Sequence, residues 1–254
     1  MNELRRVSVR VPPELAEEAR ARLLELVPEG FEEIEVDGAV ELAVYLGAAG
    51  ELQLRDALGR ELESAPVPPG WEHRWRSFHR PVVAGGVWIG PPWEPVPAGL
   101  PAVVIDPGLA FGTGAHPTTR LCVELLAGLE GGSLLDVGSG SGVLAIAARR
   151  LGFDPVAAVD VDPVAVEVTC ANAAANGVDV DVRLADASTE ALPAADVVVA
   201  NIALPAVEDT LDRAEAGLAV TSGYLVGERP ESPGWRPRAR RGLDGWAADL
   251  LERD

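Results

Sequence analysis

The chain has 254 residues, enough for one α/β domain of common size and a smaller companion. Its apolar fraction of 48% and charged fraction of 24% suit a globular protein, and no run approaches the ~18–20 apolar residues of a membrane span. A formal net charge of −19 works against a duplex nucleic-acid surface, where Lys and Arg meet phosphates, and would draw a basic partner.

The basic residues are all arginine, which would spare a lysine-modifying enzyme from itself and which GC-rich coding produces equally well. The Met-Asn-Glu-Leu-Arg-Arg start leads into an alternating segment without an apolar leader, so a cytoplasmic protein is expected. Cys122 and Cys170 have no close Cys or His companion, and His73, His79 and His116 are scattered, so no metal is expected.

Arg5–Val11 alternates with period two, and Pro12-Pro13 then opens a segment with Leu15, Ala19, Leu23, Leu26 and Val27 at helical spacing. Strand-like runs at Phe31–Val36 and Ala39–Leu46 flank Asp37-Gly38, a two-residue hairpin signal. A short helix over Glu51–Leu58 and a weak strand around Leu62–Val67 complete a βαββαβ order, which predicts a ferredoxin-like α+β domain over residues 1–65. Residues 66–101 are rich in Pro, Gly and Trp without a sustained period, and read as a packed linker whose aromatics join two domains.

From Ser133 short apolar strands alternate with helices: Ser133–Val137, Val143–Leu151, Val156–Val161, Val164–Ala175, Val180–Leu184, Asp196–Ile202, Ala206–Leu218 and Gly223–Val226. The series predicts a Rossmann-like α/β domain over 102–254, a doubly wound, mostly parallel sheet. After Val226, a Pro-rich Arg229–Pro237 and an alternating Arg238–Glu252 predict a closing hairpin in place of a last helix.

Asp136-Val-Gly138-Ser-Gly140-Ser-Gly142 follows the first apolar strand of this series and opens a helix, the place where an open α/β sheet holds a nucleotide. A dinucleotide fingerprint would need glycine at 143, where Val143 stands; the spacing is the D-x-G-x-G-x-G of S-adenosylmethionine enzymes. Asp160 ends the next strand and can accept from both ribose hydroxyls, with Asp162 as the competing acid. Asp186 stands either near adenine or in a solvated turn. Asn201 interrupts an apolar run at a strand end, where its amide oxygen either orients a neutral acceptor amine or caps the strand. The Asp106–Arg120 loop, glycine-rich and then helix-starting, is either a capping turn or a site lid.

Together Asp106–Arg120, Asp136–Gly142, Val159–Pro163 and Ala200–Leu204 resemble the bacterial ribosomal protein L-eleven methyltransferase family, and the Trp71…Trp75…Phe78…Trp88-Ile-Gly-Pro-Pro-Trp93 segment is similar to that family's connector. The resemblance implies a class I methyltransferase domain that moves methyl groups from S-adenosylmethionine to lysine ε-amines and an N-terminal α-amine of ribosomal protein L-eleven. It implies cofactor contacts at Thr119, Gly138, Asp160 and Asn201, joined by Gly140 and Phe111. Phe111, Thr113, His116 and Thr118 would line the mouth, with Asn201, His116 and Thr118 as the catalytic set. The N-terminal domain would recruit the substrate, and a monomer without direct nucleic-acid binding is expected. An Asn-Pro-Pro-Tyr turn, the mark of enzymes acting on planar amides or exocyclic amines, is missing from Asn201-Ile-Ala-Leu. A small-molecule N-methyltransferase of the same fold is the alternative reading.

Overall fold

Side-chain alternation builds the sheet of the first unit. The computed structural model describes residues 5–16, 19, 23, 32–36, 38–46, 54, 55, 62–67, 80–106 and 114–254, and the chain divides into two units, Met1–Phe78 and His79–Asp254. In the first, β1 (Arg5–Val11), β2 (Glu32–Val36), β3 (Ala39–Leu46) and β4 (Glu63–Pro66) pair antiparallel in the order β2-β3-β1-β4. Val7, Val9 and Val11 face Val40, Leu42 and Val44 in one apolar layer, closed by Ala16, Leu23 and Leu54. Ala16, Ala19 and Leu23 are helical, as are Leu54 and Arg55; the rest of both expected helices lies outside the described residues.

The opposite face of this sheet is polar. Glu41 is only 4% exposed and lies between Arg6 Nη1 at 2.9 Å and Arg10 Nε at 2.7 Å. Burial works against its charge, but the two guanidinium partners win and hold its pKa below the usual carboxylate range. The Tyr45 hydroxyl donates to Glu32 at 2.7 Å.

In the second unit the segment expected to be a linker carries strands β5 (Val82–Ala84) and β6 (Val87–Gly90), and β7 (Ala102–Val104) follows directly after it. The first two pair antiparallel around Gly85-Gly86, and β6 pairs parallel with β7. Strands of three and four residues are too short to show a period, which is why the sequence reading missed them. Trp71, Trp75 and Phe78, expected to join two domains, lie outside the described residues.

The main sheet has the order β10-β9-β8-β11-β12-β14-β13. Strands β8 (Leu134–Val137), β9 (Val156–Asp160), β10 (Asp181–Leu184), β11 (Val197–Asn201) and β12 (Leu218–Leu225) are parallel, while β13 (Trp235–Leu243) and β14 (Trp246–Arg253) form the antiparallel closing hairpin. Helices α1 (Pro117–Leu126), α2 (Val143–Leu151), α3 (Pro163–Ala175) and α4 (Leu204–Arg213) complete the unit. Both faces of the sheet are apolar: Leu134, Val197 and Val199 enter one core with α1 and α2, and Leu135, Val137, Val198 and Ala200 enter the other with Val207 and Leu211 of α4.

The element boundaries depart most from the sequence expectation between α4 and β12. The helix expected to reach Leu218 stops at Arg213, and the strand expected to begin at Gly223 begins at Leu218. Gly223 is a bulge inside that strand rather than its start, with the register slipping between Ser222 and Tyr224.

Candidate active site

Strand order reverses between β8 and β11, and in an open α/β sheet the crevice opens at the carboxyl ends of the strands flanking such a reversal. The turn that follows β8 carries Asp136–Gly142, and β11 ends on Asn201. Residues 197, 199 and 201 share the face of the sheet that packs on α1, so Asn201 points toward that helix. Its Nδ2 donates to Thr119 Oγ1 at 3.4 Å, and among the described residues its Oδ1 has no hydrogen-bond donor.

His116 is the N-cap of α1, extended at φ −61 and ψ 141, and Pro117 follows at the first helical position, where its missing N–H costs nothing. His116 Nδ1 lies 2.7 Å from Thr118 Oγ1 and 3.4 Å from the Thr118 backbone nitrogen, and the ring stands edge-on to Trp246 at 5.0 Å. Burial pushes the pKa of His116 below its ordinary value, because the charged imidazolium loses water. Thr118 and Thr119 are buried at 3% and 2% exposure. Phe111 and Thr113 lie outside the described residues.

The glycine turn is held tightly. Gly138 has φ +74, and a Cβ there would stand 2.4 Å from Ile202 Cγ2, so only glycine fits. The Gly140 N–H donates to Asp160 Oδ2 at 2.9 Å and the Asp162 N–H donates to Asp160 Oδ1 at 2.9 Å. The Asp160 carboxylate is therefore fixed by backbone from two sides, and each oxygen keeps a lone pair. Asp162, its sequence competitor, is the N-cap of α3 and accepts from Val164 N–H at 2.8 Å. Asp186 is engaged by its own turn, accepting from the Ser188 N–H at 2.9 Å and hydroxyl at 2.6 Å.

Two side chains in this region, Thr169 and Asn172, escaped the sequence reading. Thr169 Oγ1 donates to Gly140 O at 3.1 Å, and Asn172 Nδ2 donates to Ser141 O at 2.9 Å while its Oδ1 accepts from Asp106 N–H at 3.4 Å. The signal was present: two polar residues three apart in Val164–Ala175, where Glu167 is the one charged side chain. Asp136 is 1% exposed and accepts from Ala145 N–H at 3.0 Å through Oδ2, but its Oδ1 has no partner among the described residues. Burial raises the Asp136 pKa to about 7, outweighing the bond from the first turn of α2.

These features fit a nucleoside ligand with a polar tail. Asp160 offers two fixed oxygens for a diol, and Asp136 Oδ1 is a buried acceptor without a donor among the described residues.

Comparison with known proteins agrees with this geometry. The protein named ribosomal protein L11 methyltransferase from Symbiobacterium thermophilum is 41% identical over 197 residues, 71% of this chain and 64% of the relative. Its namesake from Exiguobacterium sp. is 37% identical over 249 residues, 84% of this chain and 80% of the relative. The crystal structure of ribosomal protein L11 methylase from Lactobacillus delbrueckii subsp. bulgaricus superposes with a TM-score of 0.59 at 26% identity, over 66% of this chain and 95% of that one. The chain spans 64%, 56% and 54% of the lengths of the first three curated relatives it matches. A family model described as Ribosomal protein L11 methyltransferase (PrmA) matches residues 64–229, and the chain belongs to that family.

Proposed function

We propose that the protein is an S-adenosylmethionine-dependent N-methyltransferase acting on lysine ε-amino and N-terminal α-amino groups of ribosomal protein L11. The observation that carries this reading is the placement of Asp160, fixed by two backbone N–H groups, and Asn201, whose amide oxygen has no donor among the described residues, around one strand-order reversal. When bound, the cofactor supplies an electrophilic methyl group on a sulfonium. An acceptor amine must meet that methyl neutral and with its lone pair in line. Asn201 Oδ1 accepts one amine N–H and so aims the lone pair, without the negative charge that would hold the amine as ammonium. His116 and Thr118 border the mouth, where a neutral imidazole sets no like charge against an incoming cation. Thr119, Gly138, Gly140 and Asp160 are assigned to the cofactor, and Phe111 is added on the family resemblance alone.

The N-terminal unit is assigned a ferredoxin-like arrangement, supported by its antiparallel β2-β3-β1-β4 order and by the helical residues between β1 and β2 and between β3 and β4. Its role in this reading is to recruit the basic substrate. Residues 14–41 hold ten acids against Arg20 and Arg22, although Glu32 and Glu41 are already paired within the sheet. The functional unit is a monomer that needs no nucleic acid.

The test is label transfer from S-adenosylmethionine with L11 and a small diamine supplied at equal amine concentration. Transfer to L11, with an apparent KM that rises as salt screens charge over about 8–10 Å, supports the reading. Equal transfer to the diamine replaces it with a small-molecule N-methyltransferase.

A further inference from the structure

Ile202 follows Asn201 directly and is confined from two sides. Its β-branch methyl, Cγ2, occupies the space a side chain on Gly138 would need, 2.4 Å from the Cβ position. On its other side stands Gly223 of β12, at φ +104: a Cβ there would lie 2.0 Å from the Ile202 carbonyl oxygen and 3.0 Å from its nitrogen. The missing side chain of Gly223 lets the Ile202 backbone lie against β12, as the missing side chain of Gly138 makes room for the Ile202 γ-methyl.

The bulge that brings Gly223 so close is itself fastened. Pairing of β11 with β12 ends at Asn201 opposite Ser222, and the β12–β14 register slips between Ser222 and Tyr224, at Gly223. Tyr224, just beyond, is 2% exposed; its hydroxyl lies 2.8 Å from Thr221 Oγ1 and donates to Asp249 Oδ2 at 2.9 Å. Asp249 also accepts from Arg240 Nη1 at 2.8 Å. The Ser222 hydroxyl donates to Ala247 O at 2.7 Å. Both flanks of the bulge are thus tied to β14, and the bulge presses on the residue that follows Asn201.

We propose that Ile202 is a positioning residue: wedged between Gly138 of the cofactor turn and Gly223 of the β12 bulge, it sets where the Asn201 amide points relative to that turn. The inference rests on the role assigned to Asn201 above and adds the device that keeps amide and cofactor in register. A displacement of an ångström at the amide is enough to lower turnover by about a hundredfold when a near-attack geometry is lost.

Two conservative variants separate this role from plain packing. Ile202→Val keeps both γ atoms and with them the methyl over Gly138, whereas Ile202→Leu keeps the apolar volume but has no β-branch. We expect Ile202→Val to keep kcat within about twofold, and Ile202→Leu to lose about tenfold or more in kcat with cofactor Kd changed by less than about threefold. Gly223→Ala should resemble Ile202→Leu; where it does not fold, the Ile202 pair decides. Equal kcat for the two Ile202 variants, or a loss of kcat matched by an equal loss of cofactor affinity, would overturn the proposal. Asn201→Ala is measured beside them. If it keeps full turnover, or if the wild-type protein transfers nothing to L11, the reading of the site fails and this inference with it. If Asn201→Ala loses turnover and Ile202→Leu does not, only the positioning role fails.

Discussion

Asn201 donates its side-chain N–H to Thr119 Oγ1 at 3.4 Å, and this bond makes the carbonyl the outward end of the amide. Asn201→Ala is expected to lower kcat by about 10–100-fold while cofactor Kd changes by less than about threefold, because the amide acts on the acceptor in the transition state. Thr119→Val removes the partner oxygen and a proposed cofactor contact, so both kcat and cofactor affinity should fall. Steady-state kinetics and calorimetry on the same samples check the split; full turnover in both Asn201→Ala and Asn201→Asp would leave the asparagine as a strand-end residue.

Asp160 and Asp162 are two residues apart and do different things. Asp160→Ala should weaken S-adenosylmethionine binding by roughly 1.5–3 kcal/mol, the range for hydrogen bonds to a charged group. Asp162→Ala removes the α3 N-cap and should cost about 1 kcal/mol of stability with cofactor affinity unchanged. Calorimetric titration and urea unfolding of both variants test the assignment, and lost binding in Asp162→Ala alone would reverse it.

How much of this was legible in the sequence depends on the physical signal each element carries. The βαβ series, the glycine turn and the closing hairpin were readable because buried parallel strands are short apolar runs and helices begin at caps. The β12 bulge was not: Gly223 in a run of alternating residues reads as punctuation, and only pairing with β11 and β14 reveals a strand on both sides of it. The small β5-β6-β7 sheet escaped because its strands are short, although Gly85-Gly86 between Val82–Ala84 and Val87–Gly90 was a hairpin signal. The Asp160/Asp162 ambiguity arose from spacing alone; the Asp162-Pro163 pair is a helix-start signature, but it separates the acids only once the end of β9 is known. Glu41 shows the limit in charge counting, since its place between Arg6 and Arg10 follows from strand register and not from composition.

Asp136 makes cofactor-free stability depend on pH in a defined direction. Its pKa rises on folding from 3.8 to about 7, so the folded state tolerates the neutral acid and is penalised once it ionises. The stability conferred by the neutral form is full below about pH 4 and is lost as pH rises through about 7, up to about 4 kcal/mol. Asp136→Asn should therefore gain stability relative to wild type as pH rises from 4 to 8. Urea unfolding of the two proteins across that range checks it; a constant difference would show that the buried carboxyl does not titrate there.

The most direct test of the central claim is peptide mapping by mass spectrometry of L11 after incubation with labelled S-adenosylmethionine, using the wild-type protein and Asn201→Ala in parallel. The account predicts methyl groups on lysine ε-nitrogens and the N-terminal α-nitrogen of L11 with the wild-type protein, and sharply less label with Asn201→Ala at saturating cofactor. Label on other atoms, or an L11 left unmodified by a wild-type protein that binds the cofactor, would contradict it.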